Sequence, residues 1–206
     1  MKCFITFIWI VFFCALPINT WAQWTSVYET GQENTFGVGI QLSHLSMNDS
    51  KNTMNGISVD YQYDDVPGFG IHMLYTMNDF FTLAINVDHM MDSDVIVKTA
   101  NTKVKIGELS TIPLTVSARF HLPTDTIFKP YLGLGFGYYF NDFESSFVDV
   151  DDAFGFHYTF GADIWINRLE NTALNIDCKY LKPDTENDSL DWDAWNFGIG
   201  LTYFFK

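Results

Sequence analysis

Cysteine is nearly missing from this chain. Of its three cysteines, Cys3 and Cys14 fall in an N-terminal leader and only Cys178 follows it, so the mature chain has no pair from which to close an intramolecular disulfide. Basic residues are scarce as well: 11 Lys and Arg stand against 25 Asp and Glu, a formal charge of −14, which leaves nucleic acid without the positive surface it binds. After the leader no uninterrupted apolar run approaches the roughly 20 residues of a membrane-spanning helix. Metal-ligand spacings are missing too. There is no HxxxH or CxxC pattern, the five histidines are scattered, and the acidic stretches 142–152 and 184–193 lack the spacing of a calcium loop, so no metal or other cofactor is expected.

The leader is a basic Lys2, an apolar stretch over residues 3–16, Pro17, and then Thr20-Trp21-Ala22. This is the layout of a secretory signal peptide, residues 1–22, cleaved after Ala22. Its apolar stretch is too short to span a bilayer as a helix. Bulky Phe13 before Cys14 argues against a lipoprotein site. Residues 23–206 then form one exported domain, more acidic still once Lys2 is gone.

Aromatic residues are abundant, at 17%, and they alternate. In residues 195–205, Trp195, Phe197, Ile199, Leu201, Tyr203 and Phe205 share one face, while Asn196, Gly198, Gly200 and Thr202 share the other. The same period of two predicts strands over residues 34–46, 68–77, 80–90, 111–122, 129–141, 154–165 and 172–181. None of the apolar faces carries Asp, Glu, Lys or Arg. Such a stripe suits a sheet whose outer solvent is lipid and whose inside is wet, and only a closed sheet leaves no unpaired edge in a bilayer.

The connections alternate in length. Asn78-Asp79, residues 123–128 and residues 167–171 are short; residues 47–67, 91–110, 142–153 and 182–192 are long. Outer-membrane barrels show this pattern, with short periplasmic turns and long external loops, so both termini are expected in the periplasm. The expected fold is all-β: an eight-stranded antiparallel up-and-down transmembrane barrel. Residues 57–63 also alternate, and either extend the wall beyond the membrane or, as the alternative, make a ten-stranded barrel.

Inside so narrow a cylinder side chains nearly fill the lumen. The inward set includes Asp88, Arg119, His121, His157, Asp163, Asp177 and Lys179, expected to form a polar network in which Arg119 and Lys179 are neutralised by some of the three aspartates. Three glycines, Gly133, Gly135 and Gly137, leave space for larger neighbours. No catalytic residues are expected: Ser117 and His121 share a face but lie about 13 Å apart at the strand rise. The terminal aromatics Tyr203 and Phe205 are the expected signal to the barrel-assembly machinery. Membrane lipid and lipopolysaccharide are the expected surroundings.

The run Phe128-Lys129-Pro130-Tyr131-Leu132-Gly133-Leu134-Gly135-Phe136-Gly137-Tyr138 resembles the outer membrane protein W (OmpW) family. So do Ile166-Asn167-Arg168, Asp193-Ala194-Trp195 and the hairpin around Tyr75 to Asp79. Two features depart from the family pattern: Lys206 follows the last aromatic, and the proline-rich approach to the fourth strand is reduced to Ile112-Pro113. The resemblance implies an eight-stranded barrel with a narrow, partly apolar channel for small hydrophobic molecules. A structural or adhesive barrel with a plugged polar lumen is the alternative, and a lipid-modifying enzyme is a distant third.

Overall fold

The computed structural model describes residues 33–54, 57–98, 102–144, 150–166, 171–184 and 192–205, with the backbone alone for residues 51–54 and 57–59. The expected leader, its cleavage point at Ala22, most of the turn at 167–171, and Lys206 lie outside them.

Among the described residues ten strands follow one another: β1 (Thr35–Met47), β2 (Ser50–Met54), β3 (Ile57–Tyr63), β4 (Val66–Asn78), β5 (Phe81–Lys98), β6 (Lys103–His121), β7 (Phe128–Glu144), β8 (Ala153–Trp165), β9 (Thr172–Asp184) and β10 (Ala194–Phe205). All pairings are antiparallel, and β1 pairs with both β4 and β10, so the sheet closes on itself. The closed ring has eight staves: β1, β4, β5, β6, β7, β8, β9 and β10.

The two extra strands do not widen the cylinder. β3 and β4 are one path broken at Asp64-Asp65, and they lie in turn along β5, from Asp60 opposite Lys98 to Tyr63 opposite Val95 and then from Met90 downward. Ser93 Oγ donates to the Asp64 carbonyl at 2.7 Å and holds the break against β5. Among the described strands β2 pairs with β3 alone. The alternation in residues 57–63 therefore extends the wall and adds no stave.

Two boundaries differ from the sequence expectation. The stretch 91–110, expected as a loop, is mostly strand, because β5 and β6 stay paired as far as Lys98 opposite Lys103. Bulges between Met90 and Ser93 and between Val95 and Ile96 reset the parity, so Met90 and Ser93 both face inward although three residues apart, and the period of two is lost to the eye. Near the tip of this hairpin Lys105 lies 2.8 Å from Asp94 and also bonds Glu108. These hydrogen bonds, Asp94's first, hold its ammonium above the ordinary lysine range. The short turn is Asp79-Phe80, one residue later than expected, because the Asn78 side chain accepts from the backbone N–H of both Phe80 and Phe81 at 2.9 Å.

The apolar stripes point outward on every stave, with Ile40 and Leu42 each 66% exposed and Leu134 64%. So many uncovered large apolar side chains around a whole cylinder suit lipid as the surrounding medium. Ile71, outward on β4 between Ile40 and Val87, tests this. Ile71→Arg is expected to lower stability by about 2–4 kcal/mol in phospholipid vesicles. Urea unfolding of the vesicle-inserted protein reads the change, and parental stability would rule out lipid at that position.

Candidate functional site

The lumen is stratified. At the end with the short turns, Leu74, Ala84, Trp165, Ala173 and Phe204 form an apolar layer, with the Trp165 and Phe204 rings 4.9 Å apart. Beside it a cavity of about 40 Å³ is lined by Leu74, Thr76, His121, Lys129, Asp163 and Trp165 among others, large enough for water but not for an organic solute. Above this comes a belt of polar and charged side chains. At the end with the long connections lies a second, larger apolar cluster that includes Leu45, Met90, Val95, Leu109, Tyr139 and Trp192.

All seven residues singled out for the polar network are buried inside the ring. Five of the belt's members form one chain of donation. His121 Nε2 lies 2.9 Å from Asp163 Oδ2, and Asn175 Nδ2 donates to Asp163 Oδ1 at 2.6 Å. Thr202 donates its hydroxyl proton to Asn175 Oδ1, so the 2.7 Å contact between His72 Nε2 and Thr202 Oγ1 requires His72 to carry its proton on Nε2 and to donate. Every donor in the chain thus points toward Asp163, whose carboxylate collects the bonds of β6 and β9. The strands joined are β4, β10, β9, β8 and β6.

Lys179 and Asp88 make an ion pair at 3.6 Å, with both side chains 2% exposed. β5 and β9 are four staves apart whichever way the ring is followed, so this pair spans the lumen's diameter. Asp177 accepts from Gln41 Nε2 at 3.2 Å. Arg119 departs from the expectation. It makes no ion pair among the described residues; its guanidinium lies over the Tyr131 ring, 4.7 Å from the centroid, and its Nε and Nη1 have no hydrogen-bond partner. The three aspartates have other partners: Asp163 pairs with His121 and Asn175, Asp177 with Gln41, and Asp88 with Lys179. A cation over an aromatic face is the favourable contact that Arg119 makes instead.

Glycines make these bonds geometrically available. Gly39 stands in register between His72 on β4 and Thr202 on β10, and the His72–Thr202 bond passes over it. Gly135 stands between Ser117 on β6 and His157 on β8, whose 2.7 Å bond passes over it. A methyl group at either position would overlap what lies above or beside it: the His72 ring at Gly39, and the Val116 carbonyl oxygen at Gly135. The third case is Gly198, over which Gln41 reaches Asp177.

The Ser117–His157 pair was not evident in the sequence, where His121 shared the serine's face. Among the described residues it is a dyad without an acid, since His157 Nδ1 has no hydrogen-bond partner there, and His157 is fully buried. No cluster of three or more His, Cys, Asp or Glu able to hold a metal occurs among the described residues. The sequence reading also missed Phe204 and Trp192 as lumen residues. Phe204 shares the parity of Gly200 and Thr202 but is masked by outward Phe205, and Trp192 precedes its strand.

The OmpW family profile matches residues 43–205. A relative described as uncharacterized outer-membrane protein y4mB, from Sinorhizobium fredii (strain NBRC 101917 / NGR234), is 25% identical over 178 residues, covering 77% of this chain and 75% of its own. Among solved structures, the outer membrane protein OprG from Pseudomonas aeruginosa superposes with a TM-score of 0.69 at 20% identity, over 84% of this chain and 96% of that one. The E. coli outer membrane protein W superposes with a TM-score of 0.56 at 18% identity, over 85% and 100%. These likenesses show the same barrel fold. With a family match over most of its length and eight staves closed into a ring, this chain is an outer-membrane β-barrel and belongs to the OmpW family.

Proposed function

We propose that the barrel takes small apolar and amphipathic molecules from outside the cell into the long-connection end of its lumen and passes them inward without catalysing a reaction. One observation carries this reading. The apolar cluster around Leu45, Met90, Leu109 and Trp192 occupies the end of the lumen from which the long connections leave, above the charged belt. An apolar solute leaving water or the lipopolysaccharide layer gains about 25 cal/mol per Å² of surface buried in such surroundings.

The same asymmetry supports an orientation. The turn at Asp79-Phe80 and the 122–127 connection lie at the end where β1 begins and β10 stops. A chain exported behind a cleaved leader of residues 1–22 and inserted from the periplasm keeps its short turns and both termini on the periplasmic side. Outward Tyr203 and Phe205 then form the terminal aromatic signal offered to the barrel-assembly machinery, and lipid and lipopolysaccharide surround the wall.

A second reading, a structural barrel with a plugged lumen, is favoured by the Asp88–Lys179 pair that crosses the lumen. Vesicles with lipopolysaccharide in the outer leaflet separate the two. Protein-containing vesicles are expected to take up a labelled medium-chain hydrocarbon several-fold faster than protein-free ones, while ion conductance stays low because the belt spans the lumen. If no solute enters faster with the protein, the structural reading stands in its place.

A further inference from the structure

Resting on that reading, we infer that the molecule preferred at the long-connection end is a neutral amphiphile with a hydroxyl head, not a bare hydrocarbon and not a fatty acid anion. The observation is a set of buried polar atoms without hydrogen-bond partners among the described residues, where the apolar cluster meets the belt: Thr111 Oγ1, Tyr139 Oη, Trp192 Nε1 and both amide atoms of Asn196. Each has an apolar-cluster residue as neighbour. Thr111 is in register with Met90, Tyr139 with Ala153 and Asn196 with Leu45, and the Trp192 ring packs edge-on against Tyr139 at 5.7 Å.

Buried polar groups are nearly always paired, so a group of them bordering one apolar cluster of a lumen marks where a ligand's head belongs. An indole N–H only donates, which calls for an acceptor; the Asn196 amide both donates and accepts. A hydroxyl meets both demands while its hydrocarbon tail lies among Leu45, Met90 and Val95. A carboxylate head meets the donors but brings a negative charge to the level of Lys179, the register neighbour of Asn196, whose ammonium is already paired with Asp88. That ammonium neutralises Asp88, so a second carboxylate nearby would add an unneutralised charge to a buried site.

The test is equilibrium binding of radiolabelled 1-decanol, decane and decanoate to the purified protein in lipid nanodiscs, each measured as the excess over protein-free nanodiscs. Decanol is expected to bind about tenfold more tightly than decane and decanoate. Trp192→Phe keeps the ring and removes the donor, and is expected to lower the decanol-to-decane ratio about fivefold. Tyr139→Phe serves as the second variant, with the same direction expected. Decane or decanoate bound as tightly as decanol, or a parental ratio in both variants, overturns the inference and leaves the uptake reading standing. If none of the three binds above the nanodisc background, the uptake reading itself fails, and this inference with it.

Discussion

Lys179→Met is expected to destabilise the barrel by about 3–5 kcal/mol, because it removes one member of a buried ion pair and leaves Asp88 charged in the lumen. The loss belongs to the stranded carboxylate more than to the missing attraction, and that distinction can be measured. Replacing both partners, Asp88→Leu with Lys179→Met, removes the uncompensated charge, and the double variant is expected to recover most of the stability. Urea unfolding of the three variants and the parent in vesicles gives the cycle. Equal losses in single and double variants would mean that the pair contributes through packing alone.

Gly135→Ala is expected to prevent the barrel from closing. A methyl group there would overlap the Val116 carbonyl oxygen and lie 2.7 Å from His157 Cε1, so relief requires moving the backbone of β6 or breaking the Ser117–His157 bond. A cost above about 4 kcal/mol exceeds what ordinary substitutions cause. Its neighbour two residues earlier provides the control. At Gly133 the same methyl group would lie 3.2 Å from the Ala118 oxygen and 3.5 Å from Arg119 Cγ, so Gly133→Ala is expected to cost under about 1 kcal/mol. Heat-dependent mobility in SDS gels reports folding of both. If Gly135→Ala folds as readily as Gly133→Ala, the glycine is not what clears the path between Ser117 and His157.

Much of this architecture was legible in the sequence, for a physical reason. A stave between lipid and a polar lumen alternates strictly, so the outward side of every stave, from Phe36 on β1 to Phe205 on β10, could be read by parity. Parity also placed Asp88, Arg119, Asp163 and Lys179 inside. It could not place partners. Residues 130 positions apart, His72 and Thr202, bond because the ring's register sets them either side of Gly39, and register is a property of closure that no single strand encodes. Arg119 illustrates this: three aspartates were available to it by composition, and each pairs with another residue in the closed ring. The bulge after Met90 hid the rest, since one parity reset turned eight further residues of strand, as far as Lys98, into an apparent loop.

Ladder bonds between adjacent staves fix the circumference of a cylinder but leave its cross-section free to flatten, as a hoop can be squeezed without being stretched. The Asp88–Lys179 pair joins opposite walls, and the His72–Thr202 and Ser117–His157 bonds join walls one stave removed. Together they act as an internal strut and two gussets. A barrel braced in this way keeps a round profile under the lateral pressure of the bilayer, and the shape of its lumen is then set from within, independently of the thickness or composition of the lipid around it.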